Sequence, residues 1–438
     1  MSEITLRDSA EGALALMRAR GFDEAQVTVS AARKDEVNIA LNEPSLLRST
    51  DSLSLALIGI VDGRRATTEV TDLRGSALHE AVDALMAAAK SAPRDDANRV
   101  SSGQRARIVQ GPQESDVALL TTKAQELLDF RGREASRVNV IEAQAAHTLV
   151  RSHTMTTGGS ELEAQVGHHS LDLFGTAREG QRSSSFAATG GNCHDLQSRH
   201  ATEYFGIADL LRDLERSIHT RPVDSSFVGD VVLAPQAVAD FLNWFLGQLC
   251  DVNLIAGSSL YRDRVGDTVG SPLLTLRSRF DAPGVTALTS DAFVATPVEV
   301  LAHGVLKTLT PSFYGSLKTG LPHVPTAAGA DAVGRFAAGG WELAAGDTAR
   351  EKMVSDTKRG ALVGRLSMGR PASNGDFSGV IKNSFAIADG KLGSALSETM
   401  ITGNVAQMLR DVVAVSRERL DTGAFLLPWV RIGNLHFS

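Results

Sequence analysis

Ser52-Leu53-Ser54-Leu55-Ala56-Leu57, with Asp62-Gly63 and then Arg64-Arg65-Ala66-Thr67-Thr68-Glu69-Val70 behind it, is the stretch that sets the fold class. Leucines alternate with small residues, and successive side chains of a strand face opposite sides, so this pattern reads as strand rather than helix. Asp62-Gly63 supplies two residues that tolerate positive φ, the requirement of a tight hairpin turn. Towards the N-terminus, Gln26 to Ser30 and Glu36 to Leu41 read as further short strands, the second with Val37, Ile39 and Leu41 on one face. A helix around Gly12 to Arg20 stops at Gly21, a residue suited to a helix C-terminus. After the hairpin, Leu78, Ala81, Val82, Leu85, Met86 and Ala89 recur at helical spacing and predict a helix covering one face of the sheet. Residues 1–95 therefore read as a small α/β sandwich-like unit within an α+β chain.

From Ser91 to Ser115 the pattern gives way to Ala-Pro-Arg-Asp-Asp, Ser-Ser-Gly and Gly-Pro, which predicts a linker or long surface loop over 96–115. A middle α+β region follows over 116–222: a helix at Asp116 to Phe130, strands near Val138 to Arg151, Leu162 to Leu173 and Ser183 to Ala188, and a helix from Ala201 to Ile218. Pro222 blocks helix continuation and marks the next boundary. Residues 223–438 predict a large strand-rich domain with helices at Pro235 to Leu249, Thr348 to Lys358 and Val405 to Arg417. Glycines at Pro283-Gly284, His303-Gly304, Gly339-Gly340 and Asp389-Gly390 suit a sheet built from hairpins.

Composition narrows the function. The 438 residues carry 44 basic and 51 acidic side chains without charge blocks, which argues against a nucleic-acid binder working through a basic face. Cys193 and Cys250 are the two cysteines and fit no CxxC spacing, which disfavours a disulfide scaffold or zinc ribbon and suits a reducing cytoplasm. Glu3, Arg7, Asp8 and Glu11 stand where a signal peptide needs an apolar core, and no apolar run approaches the roughly 20 residues that span a bilayer. The expectation is a soluble cytoplasmic chain without membrane association.

Few local motifs carry chemistry. Cys193-His194, with His200 nearby and His168-His169 upstream, gathers metal-capable side chains, but neighbours on a strand point apart and the spacing matches no common zinc motif. No GxSxG elbow surrounds the serine clusters, and Thr189-Gly190-Gly191 fits no phosphate-binding loop. Asn374-Gly375-Asp376 is what a tight turn demands.

A wider set of words carries a resemblance: Lys358-Arg359-Gly360-Ala361-Leu362-Val363, Ser373-Asn374-Gly375-Asp376-Phe377-Ser378 and Ile401-Thr402-Gly403-Asn404, with Gly229-Asp230-Val231-Val232-Leu233-Ala234-Pro235 upstream. In order and spacing they resemble the TldD/PmbA family of zinc metalloproteases, and the N-terminal hairpin resembles it more loosely. That family comes as paired subunits. The TldD-like kind carries HExxxH on a helix and a cysteine near the C-terminus, which hold zinc for peptide hydrolysis; the TldE/PmbA-like kind lacks them. Laid on this sequence, the first histidine falls at Asn243, the glutamate at Trp244 and the second histidine at Gln248, and no cysteine follows Cys250.

Zinc is held by imidazole, thiolate or carboxylate, and a hydrolytic site needs a base beside its water. Asn243 and Gln248 offer neutral amides and Trp244 cannot act as a base. The same helix has a plainer reading as well, since Val238, Phe241, Leu242, Phe245 and Leu249 form an apolar stripe that needs only a core to bury it.

The resemblance implies a non-catalytic subunit of a cytoplasmic metalloprotease that degrades or processes unfolded or small peptides. It implies no cofactor on this chain, zinc on a TldD-like HExxxH partner, and peptide bound as an added strand. Asn374, Gly375, Asp376, Phe377, Ser378, Gly403 and Asn404 are the candidate peptide-cleft residues. The alternative is a homodimeric peptide-binding or scaffold protein without protease activity.

Overall fold

A computed structural model describes residues 5–72, 76–326, 340–397 and 399–438. The fold is mixed α+β with strand outweighing helix, 44% to 24%, as the alternating pattern predicts. The first helix begins earlier than its apolar periodicity suggests. Thr5 and Asp8 cap each other reciprocally and start it at Leu6, so it runs Leu6–Ala19 and ends before Gly21 at φ 88°.

The two short strands expected at 26–30 and 36–41 are one strand, Glu24–Ala40. Its charged middle has partners across the sheet and along the strand itself: Ser49 donates to Asp35 and Arg48 pairs with Glu36 from one neighbour, Lys34 donates to Gln144 on the other, and Lys34 also pairs with Glu36 within the strand. Leu41 and Asn42, both at positive φ, turn the chain into Glu43–Val61, and Asp62-Gly63 turns it again into Arg64–Val70. Glu24–Ala40 also pairs with Val138–Thr156, which pairs with Glu161–Glu179. Strands from 24–70 and from 138–179 thus belong to one sheet.

The linker or loop expected over 96–115 is corrected at Arg105–Gln110, a strand that pairs in parallel with Glu161–Val166. Its partner is remote in sequence, so nothing local announces it. Helices Leu6–Ala19 and Ala77–Ser91 share one core with the hairpin; Val117–Glu134 and Ile207–Arg216 share a second with the later strands. The helix expected from Ala201 to Ile218 is interrupted at Phe205 and Gly206, both at positive φ. A single 3-10 turn, Ala201–Glu203, precedes Ile207–Arg216.

In the C-terminal region five strands close on themselves. Phe227–Leu233 lies between Arg359–Ser367 and Phe425–Phe437; Asp376–Ala388 follows Arg359–Ser367; Met400–Asn404 joins Asp376–Ala388 back to Phe425–Phe437. The expectation of a sheet made from hairpins needs correcting, because Phe227–Leu233 runs parallel to Arg359–Ser367 and Gly340–Leu343 parallel to the last strand. Helix Pro235–Gln248 packs on this barrel and shares its core. The helix expected over 405–417 stops at Arg410, and Val412–Asp421 pairs with the final strand, as its β-branched run favours. Gly339 of the expected Gly339-Gly340 turn lies outside the described residues. No helix among the described residues is long and apolar enough to cross a membrane.

Candidate functional site

Helix Pro235–Gln248 opens with a proline at its first position, where a missing N–H costs no hydrogen bond. Val238, Phe241, Leu242 and Phe245 are buried, and a second stripe through Asp240, Asn243, Trp244 and Gly247 is partly exposed. Gln248 is only 4% exposed, and its Oε1 accepts from the Leu260 amide at 3.0 Å. Trp244 stands edge-on to Tyr261 with ring centroids 6.4 Å apart. The Oδ1 of Asn243 is buried without a hydrogen-bond partner. Burial pushes the Cys250 thiol up to about 11, and its sulfur donates to the Leu246 carbonyl at 3.2 Å. Burial likewise raises the Asp240 carboxyl to about 6, against the Leu366 amide that donates to it at 3.2 Å.

These residues do not fit zinc. The Gln248 amide is committed to the backbone, the Trp244 indole offers neither ligand nor base, and burial keeps the Cys250 thiol protonated.

The candidate cleft words converge on the same place. Asp376 lies opposite Asn404, Phe377 opposite Gly403 and Ser378 opposite Thr402 on neighbouring antiparallel strands. Asn404 Nδ2 donates to the Asn374 carbonyl at 2.9 Å and to Asp376 Oδ1 at 2.8 Å, while Asn374 Nδ2 donates to Asp376 Oδ2 at 2.7 Å. The bonds from Asn404 and Asn374 hold the Asp376 carboxyl below its ordinary value. Asn404 Oδ1 also accepts from the Gln407 amide and so caps helix Val405–Arg410.

Gly375, at φ 92°, closes the turn directly against the barrel helix; a Cβ there would stand 3.2 Å from the indole of Trp244. Phe377 is buried in the barrel core, and a Cβ on Gly403 would meet Leu435 at 2.7 Å. Those two serve packing, whereas Asn374, Asp376 and Ser378 are exposed. Trp244 is the degenerate-motif position that the structure joins to this turn; Gln248 is engaged at Leu260.

The sequence model of the PmbA/TldA metallopeptidase C-terminal domain matches residues 227–438, the region that holds both the barrel helix and the turn. Over the whole chain, the Metalloprotease PmbA of Escherichia coli O157:H7 is 24% identical, covering 94% of this chain and 92% of that protein. The chain belongs to the PmbA/TldD metallopeptidase family. A zinc metalloprotease TldD homolog of Saccharolobus solfataricus is 22% identical over 74% of this chain and 76% of its own length. In fold, the chain is similar to TldE from Thermococcus kodakarensis, with a TM-score of 0.83 at 19% identity, covering 98% of this chain and all of that one. A putative modulator of DNA gyrase from Bacteroides thetaiotaomicron gives 0.85 at 18% identity, with both chains fully covered.

The other metal-capable cluster of this PmbA/TldD-family chain is dispersed by its sheet. Cys193 is buried opposite His169, and burial pushes its thiol up to about 12; His194 turns to the other side, against Gly111. His200 accepts from the Thr202 amide and caps the 3-10 turn. Burial drives His168 and His169 down to about 4, so both imidazoles are neutral. His147, which no local motif flags, lies opposite His169 with rings 5.1 Å apart and donates from Nε2 to the Pro112 carbonyl at 2.9 Å. Its one sequence signal is the register of two long strands. Among the described residues, no group of three or more His, Cys, Asp or Glu is placed to hold a metal ion.

Proposed function

We propose that this chain is the non-catalytic, TldE/PmbA-like subunit of a heteromeric metalloprotease, and that a TldD-like HExxxH chain supplies the zinc, its ligands and the base. The observation that carries the reading is the packing of the degenerate motif. Trp244 is wedged against Gly375 and Gln248 is bonded to Leu260, so the positions equivalent to base and second ligand are built into structure. In this reading the chain works in the cytoplasm and closes one side of a peptide chamber. Asn374 to Ser378, with Gly403 and Asn404, contribute to its wall, where a peptide's backbone would be met by backbone and amide groups without demanding a sequence. Enclosure lets unfolded or small peptides enter and spares folded proteins by size.

The test compares the purified chain alone with the chain co-expressed with a TldD-like partner. Metal analysis of the lone chain gives no stoichiometric zinc and peptide assays give no cleavage, while the co-purified complex shows both. Zinc-dependent hydrolysis by the lone chain would overturn the proposal.

A further inference from the structure

One face of the N-terminal sheet is covered at its two ends and bare between them. Along Glu24–Ala40 the odd-numbered side chains share that face. Val27 and Val29 lie in the core with helices Leu6–Ala19 and Ala77–Ser91, and Val37 and Ile39 lie in the core with Val117–Glu134. Ala31, Arg33 and Asp35 fall between the two cores and floor a groove of about 860 Å³. Its wall is the segment from Gln113 to Val117. His147 pins that segment through the Pro112 carbonyl, and Gln113 Nε2 donates to the carbonyls of Gln110 and Gly111. On the opposite face of the sheet, Asn38, Gln144 and Asp172 line a recess with Gln236 of the barrel helix. The groove and the barrel helix are therefore separated by the sheet.

Two charges lining the groove stand unpaired. Arg151 and Glu114 are exposed, and among the described residues neither enters an ion pair or a side-chain hydrogen bond. The other charges are met from within: Arg33 donates to the buried Asp35, which also accepts from Ser49, and Asp51 lies opposite Arg33 on the neighbouring strand. Arg151 and His147 lie on one strand, about 14 Å apart by its rise per residue. The free cation thus stands towards one end, and Glu114, just beyond the pinned Pro112, towards the other. Leu149 and Ala31 supply an apolar floor between them.

An unpaired cation and an unpaired anion held apart in one groove suit a ligand with the opposite charges at its two ends. We infer that the groove binds a short free peptide, its terminal carboxylate on Arg151 and its terminal ammonium on Glu114. An extended chain advances about 3.3–3.6 Å per residue, so about four residues fill the distance. Charge-assisted contacts at both ends fix the direction of the peptide, and an internal segment of a longer chain, which lacks both charges, is not selected.

The test titrates tetra-alanine into the full chain without a partner, by calorimetry, so it is independent of whether a TldD-like subunit restores proteolysis. Binding is saturable with one site per chain, and the peptide is recovered intact, which separates this result from cleavage by the lone chain. Amidating the C-terminus or acetylating the N-terminus weakens binding by about 10-fold or more each. Arg151→Met weakens tetra-alanine to the level of its amide and weakens the amide no further; Glu114→Gln does the same towards the acetylated form. Both positions are exposed, and thermal unfolding of the two variants matches that of the parent chain. Asn404→Asp, in the candidate cleft, leaves this binding unchanged. Absence of saturable binding, indifference to blocking either end, full binding by Arg151→Met, or displacement of the peptide by an equal concentration of inorganic phosphate overturns the inference.

Discussion

The two sheets of this molecule solve the same problem in opposite ways. The C-terminal strands close into a five-stranded barrel, so the strands of that ring have no free edge and helix Pro235–Gln248 is enclosed with the core. The N-terminal sheet stays open, and half of Glu43–Val61 faces outward. Closure makes the degenerate motif a packing unit. Openness leaves the outer half of Glu43–Val61 exposed to solvent. One chain therefore combines a packed helix in its closed part with an exposed strand in its open part.

The sharpest way to break this contrast is to remove side chains from each region. Phe245 is fully buried and meets Tyr261 edge-on at 5.2 Å. Phe245→Ala is expected to destabilise the chain by about 3–5 kcal/mol. Leu47→Ala on the open edge shifts stability of the monomer by no more than about 0.5 kcal/mol. Denaturant unfolding of the two variants at low protein concentration measures both. Equal losses would mean that the hairpin edge is packed as firmly as the barrel.

Acid separates the regions again, with opposite signs. His169 has a folded value of about 4, below its ordinary 6.5, so it contributes stability that is fully present above pH 6.5 and lost as pH falls towards 4. The loss is of order 3 kcal/mol at most, and His168 moves the same way. Asp240 is the reverse case. Its folded value of about 6 lies above the ordinary 3.8, so the folded state favours the protonated form and stability declines as pH rises from about 4 through 6. Asp240→Asn keeps an acceptor for the Leu366 amide and removes the buried charge. It is expected to raise stability above pH 6 by about 2 kcal/mol. Hydrogen exchange at several pH values resolves the regions: the sheet around His169 loosens on acidification while the barrel helix tightens. A common response would show that the two regions unfold as one unit.

What the sequence discloses follows the range of the interactions. The Asp62-Gly63 turn and the helix from Pro235 are local, and a turn residue or an apolar stripe is enough to read them. The strand through Arg33, Lys34 and Asp35 is hidden because its charges interrupt the apolar pattern and partners such as Ser49, Arg48 and Gln144 come from neighbouring strands. Arg105–Gln110 is hidden because its parallel partner starts at Glu161, and barrel closure depends on remote pairings such as Phe227 with Phe437 and Asp230 with Gly360. The site divides in the same manner. The words around Asn374 and Asn404 are legible through resemblance, but their meeting at Trp244 is a matter of tertiary geometry. His169 and Asp240 owe their shifted titration to burial in the folded chain, which no spacing rule reports.

The smallest expected effect tests whether the Asn374 to Asn404 turn is scaffold or peptide wall. Asn404 performs two structural tasks: it caps helix Val405–Arg410 through Oδ1 and ties Asn374 and Asp376 together through Nδ2. Asn404→Asp keeps the cap, loses the donor and sets a second carboxylate beside Asp376, whereas Asn404→Ala loses both tasks. The alanine variant is expected to cost about 1 kcal/mol from the lost cap. The aspartate variant disturbs the turn while leaving the helix start intact. If the turn is scaffold alone, peptide turnover by the assembled complex follows stability, and both variants recover at lower temperature. If it lines the chamber, the aspartate variant raises KM at unchanged kcat under conditions where both variants are fully folded, because a repositioned Asn374-Asp376 pair alters peptide binding without touching the chemistry that the proposed TldD-like partner would carry.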